Sequence, residues 1–371
     1  MLHKIESWPE YKLAAALTVA LRVFYSLVAA VLAFMVHPDP AAVHSNMLTE
    51  NLPAPGTLYY AFLGIWERFD TLWYLRIAQA GYDHQRAVIF YPLYPTVIRL
   101  FSWGMPATAA ALLISTVAAF FSLCGLLRLG RDSLSSMGRL RTLLLFCAWP
   151  GSFMLFAGYA ESLTLALIVW SVVFARGGHW GFATACGFAA GLSRPSGVLV
   201  VVPLAVLALR SASLRSTIVL LTPAGLAGYW GWLRWSGRMS VVESYRHQGV
   251  SFAPPWMGVA DAVRHISIDH DAFLAIKLGL VVLFAALSLR REVRIEDKIF
   301  AVAVIVQVFL YTGHPLFAAT RYLLLVYPAF FVLGAYATRR LSWPRFSFYF
   351  AASGFLNLVW MGAFLDWRMV I

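Results

Sequence analysis

Charge is what this sequence is short of. Only 12% of its 371 residues are Asp, Glu, Lys or Arg, while 61% are hydrophobic, and the mean hydropathy is +0.73. A soluble globular domain carries about twice that share of charge, so the composition excludes one and implies an integral membrane protein. Acids are scarcer than bases, 17 against 29, leaving a net charge of +12. A nucleic-acid binder would gather its bases on one face. Here they are scattered between hydrophobic segments, which fits membrane orientation and argues against nucleic acid. Cysteine is nearly absent too. Cys124, Cys147 and Cys186 each fall inside an apolar run, so neither a disulfide framework nor a cysteine metal site is expected. There is also no internal repeat, low-complexity tract or soluble domain, and residues 1–371 read as one membrane domain.

Long apolar runs, by contrast, fill the chain. Taking roughly 20 apolar residues per span, the sequence predicts an all-α polytopic protein with about eleven transmembrane helices. They fall near 13–36, 105–127, 142–158, 162–175, 180–193, 197–209, 217–235, 272–289, 299–313, 323–338 and 346–364. Residues 88–104 offer a further short or re-entrant segment. The first run is too long for a signal-peptide core and lacks a small-residue cleavage site, so it is expected to be retained. The short loops carry Lys4 and Lys12; Arg128, Arg131, Arg139 and Arg141; Arg176; Arg210 and Arg215; Arg290, Arg291, Arg294 and Lys298; and Arg339, Arg340 and Arg345. The positive-inside rule assigns them to the cytoplasm, where they also meet anionic lipid. Two long outer loops remain, 37–104 and 236–271.

The first of these holds the most informative stretch, 67–82, closing in Phe90-Tyr91-Pro92-Leu93-Tyr94-Pro95. Phe69, Leu72, Trp73, Ile77 and Ala80 recur at helical spacing, with Arg68, Asp70 and Arg76 interrupting. That pattern predicts an interfacial helix with Trp73, Tyr74, Tyr82, Tyr91 and Tyr94 at headgroup level. Asp70, at the rim of the bilayer, is placed to act as a catalytic base. Glu161, Arg194, His314 and Arg321 fall in turns on the same membrane face. Ionisable groups at such depth cost roughly 2.5–3.5 kcal/mol on insertion scales and usually mark a site. Acids and arginines converging there suggest an anionic ligand and proton chemistry.

Arg68-Phe69-Asp70-x-x-Trp73-Tyr74-Leu75-x-Ile77-Ala78-x-x-Gly81-Tyr82, followed by residues 90–95, resembles the first motif of PIG-V-type mannosyltransferases. These are the GPI mannosyltransferase II enzymes and their prokaryotic relatives, with the GT-C membrane fold. Trp149-Pro150-Gly151-Ser152-Phe153 and Gly158-Tyr159-Ala160-Glu161-Ser162-Leu163 resemble the second motif. Ser193-Arg194-Pro195-Ser196-Gly197 is similar to an Arg-Ser-Asn-Gly-like turn, with departures at Pro195 and Ser196, and Thr320-Arg321-Tyr322 to a late Ser/Thr-Arg-Tyr/Phe element. The match runs in order over about 67–330; Phe69 stands where Trp is usual. The resemblance implies inverting transfer of a hexose, mannose by preference, from a polyprenyl-phosphate sugar to a lipid-linked or glycan acceptor hydroxyl.

On that reading Asp70 takes the acceptor proton, and Arg321 and Arg194 bind the departing phosphate. Arg68, Trp73, Tyr74, Tyr91, Glu161 and His314 complete the set of candidate substrate contacts. Neither metal nor cofactor is expected, and a bacterial plasma membrane is favoured over an endoplasmic reticulum. Each residue also has a plainer role to set against this one. Asp70 or Glu161 could cap a helix, Arg194 could be an interfacial anchor, Arg321 could snorkel, and His314 before Pro315 could be structural. Asp269-His270-Asp271 fits an Asp-x-Asp metal pattern but precedes a span, where Asp at a helix start is ordinary. The rival function is a transporter or flippase of lipid-linked sugars, which would show broken, pseudo-repeated helices with charges at mid-membrane.

Overall fold

The computed structural model describes residues 8–36, 43, 48, 52–211, 213–316 and 318–368. Lys4 and Phe317 fall outside them. Helices α1 (Glu10–Met35), α5 (Ala107–Leu129), α6 (Ser136–Ala148), α7 (Glu161–Arg176), α8 (Trp180–Ser193), α9 (Val201–Ser211), α10 (Ala224–Trp235), α13 (Ala272–Ser288), α14 (Ile295–Val308), α16 (Tyr327–Arg340) and α17 (Trp343–Leu365) form the bundle. Smaller helices α2 (Leu58–Phe62), α3 (Asp70–Ala80), α4 (Leu93–Phe101), α11 (Val241–Arg246), α12 (Pro255–Ile268) and α15 (Ala319–Leu323) build the connections at one end. Within the bundle α7 packs between α5 and α8, α6 lies along α16, and α1 packs on α5.

The apolar segments become helices close to where the sequence places them, but most are too short to cross a bilayer unaided. Among the described residues, three helices are long and apolar enough: α1, α5 with its 3-10 extension to Asp132, and α17. The rest of the bundle runs from 11 to 17 residues per helix, about 16–25 Å against a hydrocarbon core of about 30 Å. Of the about eleven expected transmembrane helices, three among the described residues meet the length and hydropathy of a full span. The shortening has local causes. The 142–158 run breaks at Trp149-Pro150-Gly151, where Gly151 takes φ 96° and a 3-10 turn follows. The 197–209 and 217–235 runs each open with a 3-10 stretch.

The fold is also not wholly helical. β1 (Ser251–Phe252) pairs antiparallel with β2 (Tyr311–Thr312), Ser251 opposite Thr312 and Phe252 opposite Tyr311. This pairing ties the second outer loop to the segment that leads into Arg321. The helix expected to be interfacial, α3, is packed largely within protein. Thr71, Leu72, Tyr74, Leu75, Ile77 and Ala78 are all buried, so protein covers most of its circumference. Tyr74, Tyr91 and Tyr94 are buried with it, and the Tyr94 hydroxyl donates to the Ala111 carbonyl at 2.9 Å. These tyrosines are packing and hydrogen-bonding groups and form no headgroup belt.

At the other end of the bundle the basic short loops interlock. Glu10 accepts from Arg131 at 3.0 Å and from Arg139 at 2.7 Å. Arg294 pairs with Asp132 at 3.0 Å, and Arg176 with Asp297 at 2.6 Å. Arg141 departs from its expected role at the lipid surface. It is buried, donates to the Ala337 and Leu341 carbonyls, and stacks over Trp343 with 4.5 Å to the ring centroid. It satisfies the open carbonyls at the C-terminal end of α16.

Candidate active site

The site is assembled where the sequence motifs meet. Phe69, the residue before α3, holds φ 45° and ψ −116°, a backbone conformation costing about 1–3 kcal/mol for a non-glycine residue. Contacts on every side hold it there. The Phe69 ring packs 5.5 Å from Phe364 and 5.5 Å from Trp367, the Asp70 amide donates to the Tyr159 hydroxyl oxygen at 3.2 Å, and the Thr71 hydroxyl donates to the Ala157 carbonyl at 3.0 Å. The second motif therefore grips the first. Gly158 permits this approach: its φ is +68°, and a Cβ there would press on Thr71 at 3.3 Å.

The strained turn directs the Asp70 carboxylate away from the α3 backbone and onto Arg321. Arg321 Nη1 donates to Asp70 Oδ2 at 2.9 Å and lies 3.3 Å from Glu161 Oε1. Arg194 Nη1 reaches the same Glu161 oxygen at 2.5 Å. Two acids and two arginines thus form one chain, Asp70–Arg321–Glu161–Arg194. Asp70 is its most accessible member, with 25% side-chain exposure against 7–13% for the other three. These contacts decide between the alternatives set out above. Asp70 and Glu161 open α3 and α7 as first-turn acids, favourable with the helix dipole, yet their carboxylates serve the arginines. Arg194 adopts the extended conformation expected before proline and points inward. Arg321 does not snorkel.

A cavity of about 820 Å³ opens onto this chain, a volume within the range of ligand sites. Asp70, Trp73, Tyr74, Tyr91, Arg194, His314 and Arg321 all line it. Trp73 stacks on Phe90 at 5.6 Å, and the Tyr91 hydroxyl accepts from Trp230 Nε1 at 2.9 Å. Glu161 sits behind the wall, bordering a small adjoining void. Two valences of the chain are open: buried Arg321 Nε and Glu161 Oε2 have no hydrogen-bond partner among the described residues.

Arg68 lies outside the cavity lining. It is 1% exposed and donates to the Leu365 carbonyl at 3.0 Å and the Tyr60 hydroxyl at 2.8 Å. Its guanidinium covers Trp367 at 4.7 Å. It clamps the strained turn to the end of α17 and does not line the cavity. The Asp269-His270-Asp271 triplet resolves into an ordinary helix start, with Asp271 Oδ1 accepting from the Leu274 amide at 2.9 Å.

Sequence reasoning missed Lys277 and Arg86, both of which line the cavity. Lys277 lay hidden inside an apolar run, and its position one turn after Phe273, whose ring it covers at 4.6 Å, was the available signal. Counting them, four cationic side chains face or back the cavity against the three carboxylates of Asp70, Glu161 and Asp271.

No family model matches this chain, and no curated protein matches it. Compared with solved structures, it is similar to the crystal structure of ArnT from Cupriavidus metallidurans bound to undecaprenyl phosphate. The TM-score is 0.52 at 14% identity, over 96% of this chain and 76% of that one. The likeness is one of fold. The PIG-V-type motif resemblance gains no separate support from these comparisons.

Proposed function

We propose that this protein is an inverting glycosyltransferase that moves a hexose, mannose in the first instance, from a polyprenyl-phosphate sugar to an acceptor hydroxyl on the non-cytoplasmic face of the membrane. One observation carries the reading. A carboxylate on the wall of a large cavity lies 2.9 Å from a buried guanidinium, so a proton acceptor and a phosphate ligand share one small volume.

In this reading the donor phosphate enters the cavity beside Arg321 and Arg194, with Lys277 and Arg86 adding positive potential. The acceptor oxygen attacks the anomeric carbon as the bond from that carbon to the phosphate oxygen breaks. Asp70 takes the acceptor proton, and polyprenyl phosphate leaves with the electron pair. The guanidiniums stabilise the charge developing on it, and such pre-placed donors are usually the largest catalytic term. A positioned base contributes about 10²–10⁴-fold. Trp73, Tyr74 and Tyr91 form the apolar and hydroxyl-bearing wall against which a sugar ring can rest. Glu161 holds the two arginines at their spacing and touches no substrate atom.

Asp70→Asn tests this. In a transfer assay with labelled polyprenyl-phosphate mannose and a membrane lipid extract, turnover should fall by about 10²–10⁴-fold while donor binding persists. Undiminished turnover would remove the mechanism. Transbilayer movement of the donor with no labelled product from the wild type would favour a flippase instead.

A further inference from the structure

A second cavity, of about 260 Å³, lies at the far end of the bundle from Asp70. Arg176 on its wall closes α7, fifteen residues beyond Glu161, which is about 22 Å along the helix axis. The two cavities are separate sites.

Its lining is mixed in character. Apolar Leu129, Leu134, Pro328, Phe331 and Val332 line it together with five arginines, Arg176, Arg290, Arg294, Arg339 and Arg340, and two carboxylates, Glu292 and Asp297. The positive charge is only partly neutralised. Arg294 is paired with Asp132 at 3.0 Å and Arg290 with Glu292 at 3.5 Å. Arg176 gives its Nη2 to Glu296 and Asp297, at 3.2 and 2.6 Å, but its buried Nε has no hydrogen-bond partner. Arg339 feels Glu292 only at longer range. Among the described residues, neither Arg339 nor Arg340 has an ion-pair partner within 4 Å, and both are exposed at the rim.

A lining that combines apolar side chains with exposed, unpaired arginines is complementary to an amphiphile with an acidic head. A free anion would leave those apolar side chains in contact with water, whereas acyl chains would cover them. We propose that this cavity binds the phosphate headgroup of an anionic membrane phospholipid, with Arg339 and Arg340 on the phosphate, Arg176 Nε at the base, and the chains along the α16 wall. Basic pockets between membrane helices recognise acidic headgroups in this way. The proposal does not rest on the sugar-transfer reading.

The test uses the full-length protein in detergent, titrated with phosphatidylglycerol, phosphatidylcholine or inorganic phosphate and read by native mass spectrometry. Phosphatidylglycerol should bind in preference to phosphatidylcholine. The double variant Arg339→Ala, Arg340→Ala should weaken it roughly 30-fold, from the contribution of two arginines at a lipid phosphate. Both side chains are exposed, so folding should be unaffected. Arg215→Ala removes an exposed arginine outside the cavity lining and should leave binding unchanged. Equal binding of the two lipids, or equal losses from Arg215→Ala and the double variant, would overturn the proposal. So would inorganic phosphate matching phosphatidylglycerol with the same arginine dependence, which would make the site one for a free anion.

Discussion

Replacing Arg321 by Ala removes the group that joins the two acids, and the structure sets the size of the effect. A hydrogen bond between charged partners contributes about 1.5–3 kcal/mol, whereas an exposed ion pair contributes about 0–1 kcal/mol. Arg321 is 8% exposed, so its bond to a donor phosphate would be made in a largely dry setting and belongs in the upper class. The expected loss of affinity for a polyprenyl phosphate is therefore roughly 10- to 150-fold, at 1.4 kcal/mol per factor of ten. Arg76→Ala is the matched control: its pair with Asp83, at 3.0 Å, is more than a third exposed on both sides. It should leave donor affinity where it was. Trp73 and Trp367 line the cavity, so quenching of intrinsic fluorescence by titrated polyprenyl phosphate gives the binding constant directly. Arg321→Lys keeps the charge without the planar fork and should fall between wild type and Ala. If Arg321→Ala bound the lipid phosphate as tightly as wild type, the role given to this guanidinium would be refuted. The ion-pair chain would then be a purely internal brace.

Two further outcomes follow from residues around the site. Arg68→Ala leaves the carbonyl of Leu365 and its neighbours without their donor, so thermal unfolding in detergent should show a loss of about 2–4 kcal/mol; loss of activity with an unshifted Tm would restore Arg68 as a substrate ligand. Burial drives the Glu67 carboxyl above its ordinary range, with the Thr108 hydroxyl bond at 2.5 Å opposing the shift. A group raised in the folded state gives stability that is present in acid and lost as pH climbs through its folded value. Glu67→Gln should therefore flatten the decline in Tm between acidic and neutral pH, and an unchanged pH profile would show that Glu67 carries none of it.

The order of the motifs and the convergence of Asp70, Glu161, Arg194 and Arg321 were legible in the sequence, because ionisable residues in so apolar a chain have few tolerable places. Helix positions were legible for the same reason, since polarity changes mark them. Helix integrity was not: Pro150-Gly151 looks like a mild interruption in a hydropathy profile, yet it ends α6 and starts a 3-10 turn. Arg68 and Arg141 misled in a common way. Each is an arginine that donates to a backbone carbonyl at least 200 positions away, and a carbonyl leaves no mark on residue type. The tyrosines misled because amphipathic aromatics serve an interface and a buried hydrogen bond equally well. Lys277 was concealed because its neighbours on α13 are apolar, and only tertiary packing turns it toward the cavity.

Helix α7 has an acid fastened to two arginines at its first residue, and an arginine fastened to two acids at its last. A rod anchored by charge at both tips resists sliding along its own length. A bulky headgroup entering the cavity would then be accommodated by segments other than α7, such as those at Val250 and Gly313 beside the β1–β2 ribbon, which line it.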